Sequence, residues 1–157
     1  MALETDASGR LALSGIHDSL VADLTLSGAA KTLLFKLKSG GMNTIIKTSS
    51  LHMLNVSGLW EGSIVSNVFV WDFDKVPDRY ISNSEVGWSH LFEGRISDRE
   101  EVVAQIARYQ RHMNTGKLVS ISCSYGGNIS FLCEDVLIEQ QSDAQIDERN
   151  QVQNSAF

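Results

Sequence analysis

Residues 117–140, KLVSISCSYGGNISFLCEDVLIEQ, decide the fold. Two alternating runs flank Tyr125-Gly126-Gly127, and alternate residues of a strand share a face. Val119, Ile121 and Cys123 therefore form one apolar row, and Ile129, Phe131 and Cys133 another. All six positions are odd, so paired residues must have numbers adding to an even value, or one strand would turn its apolar row toward water. A two-residue loop at Gly126-Gly127 gives an odd sum. A three-residue loop pairs Ser124 with Asn128, Cys123 with Ile129, Ile121 with Phe131 and Val119 with Cys133. The sequence predicts that register, with Gly127 in the left-handed conformation that closes such a loop.

The same register separates the cysteines. Cys123 and Cys133 share a face but lie four residues out of step, roughly 13 Å at about 3.3 Å per residue, beyond the ~7 Å between Cα atoms that a disulfide tolerates. Two unpaired, inward thiols are expected, acting as small core residues, and they suit a reducing cytoplasm.

Further strands follow from the same alternation. Leu20, Ala22, Leu24 and Leu26 alternate with polar neighbours, as do Leu33, Phe35 and Leu37, with residues 27–30 as a hairpin loop between the runs. Ser39-Gly40-Gly41 turns the chain into residues 42–48, and residues 51–56 continue extended. Residues 64–73 are apolar on both alternating sets, which predicts a central strand covered on both faces. Pro77 opens an irregular crossing, after which Val86, Trp88, His90 and Phe92 alternate as a further strand. One helix is expected at about 97–115. Ser97 and Glu100 match a capping box, Val102, Val103, Ile106, Tyr109 and Met113 recur at helical spacing, and Gly116 is placed to end it. The fold class is α+β, a mainly antiparallel sheet built from hairpins with one amphipathic helix packed on it.

At 157 residues and 43% apolar content the chain supports one core. The expected organisation is a frayed 1–8, a single domain over 9–141, and a polar, disordered 142–157. No run of about 18 apolar residues occurs, and residues 1–10 lack the basic start and apolar block of a signal peptide. A cytoplasmic, non-membrane protein is the expectation. A net charge of −6 argues against a nucleic-acid phosphate surface, which needs clustered Lys and Arg, and suits a basic partner.

Chemistry is sparsely signalled. His17-Asp18, just before the first strand, reads either as a base assisted by a carboxylate or as a turn in which Asp18 caps and His17 bonds backbone. The second reading is preferred, because sequence neighbours point to opposite sides of an extended chain. His52, His90 and His112 have no second His or Cys at metal spacing, and no nucleophile-elbow, phosphate-loop or dinucleotide motif occurs. No metal or cofactor is expected. Trp60, between Gly58 and Gly62, is a candidate exposed anchor for a partner.

Gly15-Ile16-His17-Asp18-Ser19, Trp60-Glu61-Gly62-Ser63-Ile64-Val65 and Ser124-Tyr125-Gly126 in a hairpin ending near Cys133 together resemble a group of small bacterial α+β domains. Part of that group is classed with immunity proteins of polymorphic toxin systems. The resemblance spans residues 11–140, implies a non-catalytic cytoplasmic protein that works by binding, and carries over no functional residues. Residues 72–94 and the polar tail have no counterpart in it. The leading expectation is a binding domain with a protein partner, immunity-type in its sharpest form, with His17, Asp18 and Trp60 as candidate contacts. Homo-oligomers through a strand edge are compatible with it. The alternatives are a small-molecule carrier with an apolar cavity lined by Phe69, Trp71, Trp88 and Phe92, and an enzyme using His17 and Asp18.

Overall fold

Short turns set the topology. In the computed structural model, residues 28–31 join β1 (Leu20–Ser27) to β2 (Thr32–Ser39), and Gly40-Gly41 joins β2 to β3 (Met42–Ser57). β4 (Val65–Asp72) follows, then α1 (Gly87–Leu91) and α2 (Arg99–Gln110), and finally the hairpin of β5 (Lys117–Cys123) and β6 (Asn128–Ser142). The structure describes residues 3–59, 62–125 and 127–145. The six strands form one antiparallel sheet in the order β1-β2-β3-β6-β5-β4. The protein is α+β and mainly sheet.

The decisive hairpin keeps the expected parity but not the expected pairing. Ile121 faces Ile129, Val119 faces Phe131 and Lys117 faces Cys133, two residues from the predicted register. Parity excludes odd slips and leaves even ones open, and here the other neighbour of β5 decides. Beyond Ser122 the strand pairs with β4 alone: Cys123 lies opposite Val65, and the Ser124 N–H donates to the Ile64 carbonyl at 2.8 Å. Gly127 has φ +90°, and a Cβ there would stand 3.0 Å from Leu59 Cα, so the end of β3 crowds the loop as well. Both thiols are free, and Cys133 lies opposite Lys117, six residues from Cys123 along β5.

β4 is apolar on both faces, yet it ends the sheet instead of lying centrally. Its outer edge is covered by the chain before β1. Val70 donates to Gly9, Leu11 to Val68, Asp18 to Val65, Val65 to Ser19, and Val21 to Ser63, at 2.8–3.1 Å. These bonds carry β4 across to the start of β1, so the two ends of the sheet meet and neither presents a long bare edge there.

The curled sheet has two cores. Phe35, Leu37, Ile46, Val68, Val119, Ile121, Ile129, Phe131 and Ile138 fill its inner face. Thr48↔Val136, buried, and Leu51↔Cys133, with Leu51 partly buried, are both inward pairs three residues apart, so β3 and β6 turn over together near Ser50, whose φ is +46°. On the outer face, Phe69, Trp71, Leu118 and Leu132 pack beneath Val76, Ile81, Trp88, Leu91, Val102 and Met113 from the 73–116 excursion.

Several local expectations change. Residues 86–92 hold the α1 helix, not a strand: every residue from Gly87 to Leu91 is buried, so alternation there carried no information about faces. Gly87 starts it with φ +77°, against Tyr80, whose carbonyl oxygen would lie 2.1 Å from an added Cβ. In α2 the capping box is one residue later than expected. The Asp98 side chain accepts from the Glu101 N–H at 2.9 Å, and Glu101 reaches back to the Asp98 N–H at 3.3 Å and the Ser97 N–H at 2.7 Å. The helix ends at Gln110, because the Tyr109 carbonyl takes the N–H groups of both His112 and Met113 before Gly116 is reached. Val102, Ile106, Tyr109 and Met113 face the core, whereas Val103 is exposed. β1 carries a bulge between Val21 and Asp23, which turns Val21 inward and leaves Leu20 outside. At the other end β6 runs to Ser142, where the tail was expected to begin, and residues 146–157 lie outside those described.

Candidate functional site

Where α1 lies on the sheet, three strands present a polar row. Ser120 of β5, Ser130 of β6 and Asn55 of β3 are cross-strand partners on the outer face, next to the apolar row of Trp71, Leu118, Leu132 and Met53. α1 is seated on the polar row through His90, which is only 4% exposed. Asn55 Nδ2 donates to the His90 carbonyl at 2.6 Å. His90 Nδ1 meets Ser130 Oγ at 2.7 Å, Ser130 Oγ meets Ser120 Oγ at 2.7 Å, and Ser120 Oγ accepts from the Gly87 N–H at 2.9 Å. On the other side of the ring, Nε2 lies 2.9 Å from Ser57 Oγ.

The direction of this chain is set at one end. A backbone N–H can only donate, so Ser120 accepts from Gly87, and its own proton must go to Ser130. Ser130 in turn donates to His90 Nδ1, which leaves the ring proton on Nε2, directed at Ser57. The opposite polarity would leave the Ser120 proton without an acceptor in a site where Ser120 and Ser130 have no exposed surface, at a cost of about 1–3 kcal/mol. Burial holds His90 below the ordinary histidine range, only partly offset by the charge of Glu85. His90 is therefore a neutral donor toward Ser57. A nucleophilic serine needs the reverse arrangement, an Nε2 lone pair facing the hydroxyl and a carboxylate on Nδ1.

Ser57 and His90 open into a cleft of about 420 Å³ between the end of β3 and the turn after α1, lined also by Asn55, Val56, Ser84, Ser89, Glu93 and Gly94. Nothing in the histidine spacing pointed to it. The signal was the small polar residues alternating with apolar ones on three strands: Ser120 and Ser122, Asn128 and Ser130, Asn55 and Ser57. The expected register paired Ser120 with Leu132 and so concealed the Ser120–Ser130 contact.

The sequence-derived candidates lie elsewhere. His17 and Asp18 do meet, Nδ1 to Oδ2 at 3.0 Å, because Asp18 has φ +64° and is not extended. Their side chains are 71% and 75% exposed, so water screens the pair. His17 borders a shallow hollow of about 200 Å³ with Arg10, Ser66 and Asn67. Trp60 lies outside the described residues. Trp88 has no exposed surface, and Phe69 and Trp71 stack at 5.2 Å with Tyr80 5.1 Å from each, while Phe92 stacks on Trp88 at 6.0 Å. Rings buried against protein atoms in this way have little surface left to line a carrier cavity. Among the described residues no three His, Cys, Asp or Glu side chains gather as a metal site, and no helix is long and apolar enough to cross a membrane.

A second feature is the half of the outer face that the 73–116 excursion leaves bare. Across β1, β2, β3 and the end of β6 stand Leu20, Leu34, Ile45 and Leu137, interleaved with Asp23, Lys36, Lys38, Lys47 and Glu139. Leu20 and Leu137 are 47% and 46% exposed. Lys47 pairs with Glu139 at 3.3 Å and Lys36 with Asp23 at 3.9 Å. The face is close to neutral in charge and mixed in character.

No protein-family model matches the chain, and a search of curated proteins finds no match.

Proposed function

We propose that this protein is a non-catalytic binding domain that meets a protein partner through the bare outer face of β1, β2, β3 and the end of β6. The observation that carries the reading is the unequal cover of one sheet. Over β4, β5 and the adjoining parts of β6 and β3 the outer face has a second layer, while over β1, β2 and the rest of β3 and β6 Leu20, Leu34, Ile45 and Leu137 are left between charged side chains. Apolar groups framed by a polar rim are what a partner surface buries. Because the charges on this face nearly balance, contact affinity rests on those apolar side chains, and the acidity of the chain acts at longer range on the approach of a basic partner. The sequence resemblance supports an immunity-type role as the sharpest form of this reading, with a toxin as the partner. The donor state of His90 supports binding over Ser–His chemistry.

The test is quantitative co-purification from the native host, with the wild-type chain and an Ile45→Glu/Leu137→Glu double variant as baits. Both substitutions point to solvent, so the variant keeps its circular dichroism spectrum. A partner recovered with the wild type and lost with the variant is the expected result. Equal recovery by both baits, no recovered protein, or a wild-type chain that only self-associates on sedimentation would overturn it.

A further inference from the structure

We infer that the cleft beside α1 binds a small, neutral, hydroxyl-rich ligand, a sugar or cyclic polyol, independently of any contact made by the bare sheet face. Its volume of about 420 Å³ falls within the roughly 300–1,000 Å³ typical of small-molecule sites.

The wall chemistry selects the class. The relay from Gly87 through Ser120 and Ser130 fixes His90 as an Nε2–H donor, held rigid because the ring is pinned at both nitrogens. Ser57 accepts that proton, and among the described residues its own hydroxyl reaches just the distant Asn128 carbonyl, at 3.5 Å, which leaves it to serve a ligand. Ser89 lines the cleft and adds a second hydroxyl to its wall. Ser84 adds a further hydroxyl and Glu93 a carboxylate acceptor, while Val56, 37% exposed, offers an apolar surface for the C–H face of a ring.

Hydroxyl groups both donate and accept, which matches a lining of serines and one carboxylate. Among the described residues the cleft is lined by neither lysine nor arginine, and Glu93, though it meets Arg95 at 3.6 Å in an exposed pair that water screens, places a carboxylate in the wall where a phosphate or carboxylate would have to sit. An anionic ligand is therefore disfavoured by the same residues that suit a neutral one.

The test uses the full chain and a defined panel: glucose, galactose, mannose, N-acetylglucosamine, myo-inositol and, as the charged control, glucose 6-phosphate. Binding is read by amide chemical-shift perturbation. The expected result is saturable binding of at least one neutral probe, with shifts at Ser57, Ser89, His90 and Gly94, and a dissociation constant raised about tenfold by Ser57→Ala and by Glu93→Ala. Both substituted side chains are exposed, and an unchanged spectrum elsewhere shows that the variants are folded. Absence of binding by all five neutral probes, shifts away from the cleft, variants that bind as tightly as the wild type, or tighter binding of glucose 6-phosphate would overturn the assignment.

Discussion

Ser130 Oγ lies 2.7 Å from His90 Nδ1, the central link in the set of hydrogen bonds that fastens a five-residue helix, too short to be stable alone, to the middle of the sheet. Replacing Ser130 with Ala removes the donor to Nδ1 and the acceptor for Ser120 together. Leaving buried groups unpaired costs about 1–3 kcal/mol. Ser57→Ala, at the exposed end of the same relay, should cost under about 1 kcal/mol. Urea denaturation of the two variants checks the order, and equal losses would contradict the relay. Nitrogen-15 shifts of the His90 ring should report the Nε2–H tautomer in the wild type.

The depressed titration of His90 makes a prediction with a definite sign. Above about pH 6.5, the ordinary value, the residue is neutral in both folded and unfolded chains. As the pH falls below that value the unfolded chain takes up the proton first, so stability declines until the lower folded value is passed. Glu85 weakens the effect without reversing it. His90→Gln cannot titrate, so wild type and variant should differ less in urea midpoint at pH 5.5 than at pH 7.5. A difference that stays constant or widens on acidification would refute the assignment.

The α2 cap separates two adjacent residues. Asp98 accepts the Glu101 N–H at 2.9 Å, whereas the Ser97 hydroxyl makes a long 3.4 Å hydrogen bond to Glu101 Oε2 and caps no backbone N–H among the described residues. Asp98→Ala should lower stability by about 0.5–2 kcal/mol and Ser97→Ala by much less. Thermal denaturation of the pair is sufficient, and a larger loss for Ser97→Ala would restore the sequence-derived cap.

What could be read in advance followed the range over which each signal acts. Hairpin parity was legible because inward and outward faces differ strongly at Val119, Ile121, Ile129 and Phe131. The choice between even registers was not, because it depends on β4, some fifty residues earlier in the chain. The two-faced character of Val68–Trp71 was also legible, but not what covers it: the cover at the edge comes from Gly9–Leu11 and above from the 73–116 excursion. α1 escaped because a segment buried all round shows no period. The cleft escaped because each of its groups is ordinary locally, and only three strands and a helix brought together make His90 a directed donor.

The two thiols, finally, should differ in reactivity for reasons the fold supplies. Cys133 is fully buried on the inner face, and burial, aided by the charge of Asp135, pushes its pKa up to about 12. Cys123 is partly exposed where β5 outruns β6, and burial raises it by a smaller, still unfavourable amount. Since the thiolate is the reacting species, iodoacetamide at pH 8 should label Cys123 slowly and leave Cys133 untouched until the chain unfolds. Six residues of β5 separate Cys123 from the residue opposite Cys133, roughly 20 Å at ~3.3 Å per residue, so mild oxidation should produce no intramolecular disulfide. Peptide mapping after labelling, with and without urea, checks both statements. Labelling of Cys133 in the folded protein at the rate of Cys123 would mean that the inner face opens at the β3–β6 turnover, where Cys133 pairs with Leu51.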